Sequence, residues 1–103
     1  MLTQKQASEL KPTLNEQDER LQTIFNALGD HGRFCIFKIL LERREVCVTD
    51  IANICNVSVP AASQQLRVLE LSNLVIKKRM GQMICYCLRA DNPIVEKIIK
   101  IIK

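Results

Sequence analysis

Several residue types and patterns are scarce in this chain, and each scarcity excludes something. Three glycines and three prolines in 103 residues are too few for a low-complexity or disordered composition. No apolar run approaches the roughly 20 residues that span a bilayer as a helix. The opening stretch Met1–Lys11 is polar with alternating charge, unlike a secretory signal, so a cytoplasmic protein with no membrane partner is expected. The single histidine, His31, has only Asp30 as a visible partner acid. A nucleophilic cysteine would need a nearby base, and neither a Gly-rich phosphate loop nor a paired-carboxylate motif is present, so an enzyme is not expected. Five cysteines are an odd number; without a secretory context, reduced thiols rather than a disulfide scaffold are the expectation.

The composition present, 48% hydrophobic and 25% charged, suits one soluble domain with one modest core. The net charge of +4 is unevenly placed. Residues 1–30 carry three basic side chains (Lys5, Lys11, Arg20) against five acidic ones. Residues 55–89 carry five basic side chains (Arg67, Lys77, Lys78, Arg79, Arg89) against Glu70 alone. The second stretch is where a polyanion would bind.

Hydrophobic periodicity organises the chain. Residues 1–15 read as an N-terminal arm or a loosely held helix interrupted by Pro12. Leu21, Ile24, Phe25 and Leu28 recur at helical spacing over 16–28, with Gly29 ending that helix and Asp30 capping the next. The next runs to about Arg43, with Phe34, Phe37, Leu40 and Leu41 on one face and Cys35, Lys38 and Glu42 on the opposite, polar stripe. A short helix at about 49–55 turns Ile51, Ile54 and Cys55 inward, and Asn56 suits a left-handed helix end. Ser58 then caps a helix from Val59 to about Ser72, with Pro60 in its first turn. Two helices joined by so short a turn form a helix-turn-helix. Leu74–Ile76 and Met83–Leu88 flank the Gly-containing turn 79–82 as a hairpin. Asn92–Pro93 opens a last helix whose Ile94, Val95, Ile98, Ile99, Ile101 and Ile102 cover more than half its circumference. Such a helix is expected to bury part of itself in a dimer interface. The order predicts a mainly α (α+β) winged helix-turn-helix. Residues 16–103 would form the domain, its helices joined by a two-stranded β-hairpin wing, with a dimerisation helix at about 91–103.

Four stretches resemble the ArsR/SmtB family of repressors. Residues 27–34, ALGDHGRF, are similar to the family's ALADPTRL, and residues 45–52, EVCVTDIA, to its ELCVCDLA. Residues 57–69, VSVPAASQQLRVL, are similar to its recognition helix LSQSTVSRHLKVL, and residues 81–88, GQMICYCL, to its wing strand GKWVYYRL. All four keep the family's spacing. The resemblance implies a homodimeric regulator, a repressor in function, bound to double-stranded DNA.

On the helix from Val59, the positions Ala62, Leu66, Leu69 and Asn73 trace the inner face. Ser58, Ala61, Ser63, Gln64 and Gln65 are placed to meet base edges, where glutamine can pair with adenine. Arg67 is placed for phosphate, and Lys77, Lys78, Arg79 and Gln82 would add the wing's sequence-blind contacts. The family has His where Gln65 stands. Of the family's metal sites, Cys47 matches the first thiol of the ELCVCDLA motif, but Thr49 replaces the second; the arm has no Cys or His, and the last helix no His. Neither site is intact, so no cofactor is required. A metal, metalloid or redox effector acting on Cys47 and Cys35 is the expectation for sensing, with Cys55 a small hydrophobe, Cys85 and Cys87 unable to bridge each other, and His31 without a functional role. The alternative to DNA binding is a winged helix used for protein–protein contact.

Overall fold

Side-chain caps start five of the helices in the computed structural model, which describes all residues 1–103. Thr3 and Gln6 form a capping box for α1 (Gln4–Leu10), and Asn15 and Asp18 form one for α2 (Glu16–Leu28). Asp30 caps α3 (His31–Glu42), Ser58 caps α5 (Val59–Leu71) and Asn92 caps α6 (Pro93–Ile102). The exception is α4 (Val48–Cys55), whose N-cap Cys47 makes no side-chain capping bond. The chain turns after α4 through Asn56 at φ 55° and after α5 through Asn73 at φ 60°, the left-handed conformation that asparagine tolerates.

A third strand joins the expected hairpin. β1 (Val46–Cys47) lies beside β3 (Met83–Leu88), which pairs on its other edge with β2 (Val75–Met80), giving the order β1-β3-β2. Val46 faces Tyr86 and Cys47 faces Cys85. The two-stranded hairpin wing expected from sequence is present as β2 and β3, and β1 adds a third antiparallel strand that the sequence did not indicate. The strand before the turn also runs on through Lys77–Met80, leaving only Gly81 (φ 65°) and Gln82 at the tip.

One core collects Ile24 and Ala27 of α2, Ile36, Phe37 and Leu40 of α3, Ile51 and Ala52 of α4, and Val95 and Ile98 of α6. Against it lie Ala62, Leu66 and Leu69 of α5, all fully buried. Three inward assignments move. Phe34 stands at the rim at 38% exposure, because the buried stripe of α3 centres on Ile36, Phe37 and Leu40. Ile54 is 62% exposed, because α4 seats itself through Ile51 and Ala52. Asn73 lies beyond the end of α5 and is exposed. No residue of α1 is buried, and residues 1–15 are exposed throughout. In α6 Ile94, Ile99 and Ile102 are half-buried, while Ile101 is exposed. No helix is long and apolar enough to cross a membrane.

Candidate nucleic-acid interface

The helix α5 is held from behind and open in front. Its Ala62, Leu66 and Leu69 fix its roll against the core, and Ser58, Ala61, Gln64 and Arg67 are exposed, with Ser63 half-buried. Ser58 Oγ accepts the Ala61 N–H at 3.2 Å, which leaves the hydroxyl's own hydrogen available to an acceptor outside the protein. The start of α5 therefore presents one hydroxyl and one free glutamine amide among the exposed apolar side chains of Val59, Pro60 and Ala61.

Gln65 is engaged differently. Its Oε1 accepts from Arg33 Nη1 at 3.1 Å, and its Nε2 donates to Asp30 Oδ2 at 3.3 Å. Arg33 in turn donates from Nε to the Ala27 carbonyl at 2.8 Å, and Asp30 Oδ2 accepts the Arg33 backbone N–H at 3.1 Å. The backbone bond from Arg33, its guanidinium and the Gln65 amide together hold the Asp30 carboxyl below its ordinary value of 3.8, against the opposing effect of desolvation. This network ties the recognition helix to the α2–α3 junction. Sequence placed Gln65 beside Gln64 as a base reader and did not find the tether, although Asp30 and Arg33 both lie in the ALGDHGRF stretch.

The wing presents its charges on two faces. Successive residues of a strand alternate, and the register sets Lys77 opposite Tyr86 and Arg79 opposite Ile84, with Lys78 opposite Cys85. Lys78 Nζ lies 3.3 Å from Glu45 Oε1, across the sheet, so its charge is partly neutralised. Lys77 and Arg79 make no ion pair. Both are exposed, as is Gln82 at the tip. The structure thus leaves Lys77, Arg79 and Gln82 free on the wing and Ser58, Ala61, Gln64 and Arg67 free on α5. Gln65 and Lys78 are occupied within the protein.

The cysteines divide into two places. Cys47 is paired with Cys85 across β1 and β3, and Cys35, Cys55 and Cys87 are free. The expectation of five reduced thiols is corrected on this point. A two-residue strand brings together side chains 38 positions apart, and its pairing was not visible in the sequence. Cys35 and Cys55 line an apolar groove between α3, α4 and the start of α5, with Phe34, Ile39, Ile54 and Val57. Cys35 is therefore half-buried beside that groove, 3.6 Å from His31 Nε2, rather than on an open polar stripe. Burial pushes the Cys55 thiol up, and nearby Cys35 adds to the shift. A soft metal wants three or four thiolate or imidazole donors. No group of three His, Cys, Asp or Glu side chains converges here, and Cys47 is already bonded to Cys85, so the donors present do not fit such an ion.

Residues 30–77 match the family model described as bacterial regulatory protein, arsR family. The chain is 39% identical over 77 residues to a transcriptional repressor SmtB homolog of Synechocystis sp., covering 75% of this chain and 57% of that protein. It is 31% identical over 87 residues to an uncharacterized HTH-type transcriptional regulator of Methanocaldococcus jannaschii, covering 84% of this chain and 96% of that protein. The chain thus spans little more than half of the Synechocystis relative and nearly all of the archaeal one. Among solved structures it resembles the homodimeric winged helix-turn-helix DNA-binding domain of a possible ArsR-family regulator from Mycobacterium bovis. That match has a TM-score of 0.72 at 21% identity and covers 98% of this chain and 83% of the other. The fold is a winged helix-turn-helix.

Proposed function

We propose that this chain, which belongs to the ArsR family of bacterial regulatory proteins, is a DNA-binding transcriptional regulator that represses by occupying its operator as a homodimer. One observation carries the reading: the polar start of α5 and the free cations Lys77 and Arg79 of the wing are both uncovered. These are the two elements a winged helix lays on a duplex, one in the major groove and one along the backbone. Gln64 supplies base discrimination. Ser58 and Arg67 add hydroxyl and cationic contacts at the two ends of the exposed face of α5, and Lys77, Arg79 and Gln82 hold the backbone. No catalytic step is assigned to any side chain.

The molecule's shape supports the dimer. Its radius of gyration is 17.3 Å, where a compact chain of this length has about 13 Å. Apolar side chains stand unpartnered on the arm, α2 and α6: Leu10, Leu14, Phe25 and Ile101 are all more than half exposed. A second copy would cover them and set two recognition helices about one helical turn of DNA apart. The repressor named among the relatives supports the direction of regulation, and DNA binding accords with a cytoplasmic location. A thiol-reactive effector completes the reading.

The test is fluorescence anisotropy of the duplex upstream of the protein's own gene against a scrambled duplex, from low to physiological salt. The expected result is tighter binding to the former, with affinity falling steeply as salt rises. Absence of binding to either duplex at every salt concentration would overturn the reading in favour of a winged helix used for protein contact.

A further inference from the structure

The pairing of Cys47 with Cys85 has a position that matters for the reading head. Cys47 is the residue immediately before α4, and Cys85 lies in the middle of the wing strand β3. The segment between them, residues 48–84, contains α4, α5 and β2 complete. Every side chain assigned above to the duplex, from Ser58 to Gln82, lies inside that segment. The bond therefore closes the whole reading head into one covalent loop, joined where the helix-turn-helix begins and where the wing returns. The β1–β3 ladder beside the bond is only two residues long, supported by the Glu45–Lys78 ion pair and by α4 packing on β3.

The other thiols stand apart. Cys35 and Cys55 line the α3–α5 groove. Cys87 is buried on β3 opposite Ile76, on the β2 side, beyond the end of β1. Within the pair the two members differ in access: Cys47 is half-buried and Cys85 is only 3% exposed. Cys47 also sits immediately before the N-terminus of α4.

We propose that Cys47 and Cys85 are a reversible thiol-redox site, oxidised by a low-molecular-weight disulfide or a hydroperoxide, and that the bond tightens duplex binding by fixing the wing to the helix-turn-helix. The proposal rests on the regulator reading and supplies its effector. With a disulfide oxidant, the Cys47 thiolate attacks one sulfur and expels the first small thiol. Cys85, as thiolate, then attacks Cys47 sulfur in the mixed disulfide and expels the second. Two protein thiols and one oxidant molecule give one protein disulfide and two small thiols, which carry away the two protons. With a hydroperoxide, Cys47 becomes a sulfenic acid as the peroxide is reduced to an alcohol or water. Condensation with the Cys85 thiol then releases a water molecule. Reduction by a dithiol reverses either route. In the closed form α5 and the wing are already in fixed relation, so less ordering remains to be done on the duplex.

The experiment uses the full chain, first reduced with a dithiol and then treated in separate arms with oxidised glutathione and with hydrogen peroxide. Alkylation after acid quench and unfolding, read by intact mass, should give five labels on the reduced protein and three on the oxidised one. Peptide mapping should find Cys47 linked to Cys85. The arm that reacts at lower concentration identifies the oxidant class. Operator affinity should be about three- to tenfold higher in the oxidised form, the scale expected for removing part of an ordering penalty. Cys47→Ser and Cys85→Ser should each abolish the difference, while Cys35→Ser should keep it. Five labels after both oxidants, or a bond to another cysteine, would overturn the site. Equal or weaker binding by the oxidised form would overturn the coupling. If neither form binds any duplex, the regulator reading fails, while the label count still decides the thiol chemistry.

Discussion

Adjacent glutamines on one helix should behave as different kinds of residue when truncated. Gln65 accepts a hydrogen bond from Arg33, whose side chain is only 20% exposed. Gln65→Ala removes that acceptor and leaves the guanidinium with the Ala27 carbonyl as its main partner. A bond to a charged donor in a part-buried setting is worth about 1–2 kcal/mol, and for a domain of this size each kcal/mol moves Tm by roughly 4–8 °C. The variant is therefore expected to melt roughly 5–10 °C lower, at a protein concentration held equal to wild type because a dimer's Tm depends on it. Gln64 is exposed and makes no side-chain hydrogen bond. Gln64→Ala should change stability by less than about 0.5 kcal/mol, yet reduce discrimination between cognate and scrambled duplex by about 1–3 kcal/mol, roughly 5- to 150-fold. Gly32→Ala is an independent probe, since its Cβ would stand 3.1 Å from Gln65 Nε2 and 3.3 Å from Asp30 Oδ2. It should disturb the tether while improving helix propensity. Circular-dichroism melts and anisotropy titrations read all three variants. A Gln65→Ala protein that melts with wild type but loses base discrimination would refute the assignment of Gln65 to the tether.

Lys77→Ala and Arg79→Ala should each lower the slope of log affinity against log salt by about 1, whereas Lys78→Ala should lower it by less, because Glu45 already neutralises that cation; equal slopes for all three would count against the two-faced wing. Ile101→Glu puts a charge on an exposed apolar position of α6 and should weaken the dimer by on the order of tenfold or more, with sedimentation showing monomer at concentrations where wild type is paired. An unchanged dimer would move the interface elsewhere. The Asp30 carboxyl titrates below its ordinary value of 3.8 in the folded protein, so its contribution to stability is present above that value and is lost as pH falls through the lower folded one. Asp30→Asn should be less stable than wild type at neutral pH, and the gap should close in acid. A gap that widens on acidification would contradict the sign.

The helices were legible because each carries its own local signals. Asn15, Asp30, Ser58 and Asn92 stand at helix starts as caps, Asn56 sits at a helix end, and α5 repeats apolar residues at Ala62, Leu66 and Leu69. What the sequence did not yield depends on pairings across distance. β1 is two residues that follow the charged stretch 42–45, too short for any alternation to register, and Tyr86, the partner of Val46, is 40 residues away. The Cys47–Cys85 pairing follows from that register and was hidden with it. Gln64 and Gln65 are indistinguishable on a helical wheel, since both lie off the inner face. Only the approach of Arg33, 32 residues earlier, separates them. Ile54 was read as inward because α4 is too short for its apolar residues to define a single stripe.

The seating of α4 shows how the reading head is held together. Five of the six helices begin on a side chain that accepts a backbone N–H, and such caps typically contribute about 1 kcal/mol. α4 begins on Cys47, which provides none. Its position is set instead from outside the helix, by Val46 buried against Tyr86, by the Cys47–Cys85 pairing and by Glu45 reaching Lys78 on the far strand. The helix that supports the recognition helix is thus seated in the core through Ile51 and Ala52 and held at its N-terminal end by the wing. The recognition helix is fixed separately to α3 through Gln65 and Arg33. Any change that loosens β1 from β3 therefore acts on α4 first and reaches α5 through their packing. On the proposed reading, the sheet edge is accordingly the point from which oxidation of Cys47 and Cys85 would alter DNA binding without touching a DNA-facing residue.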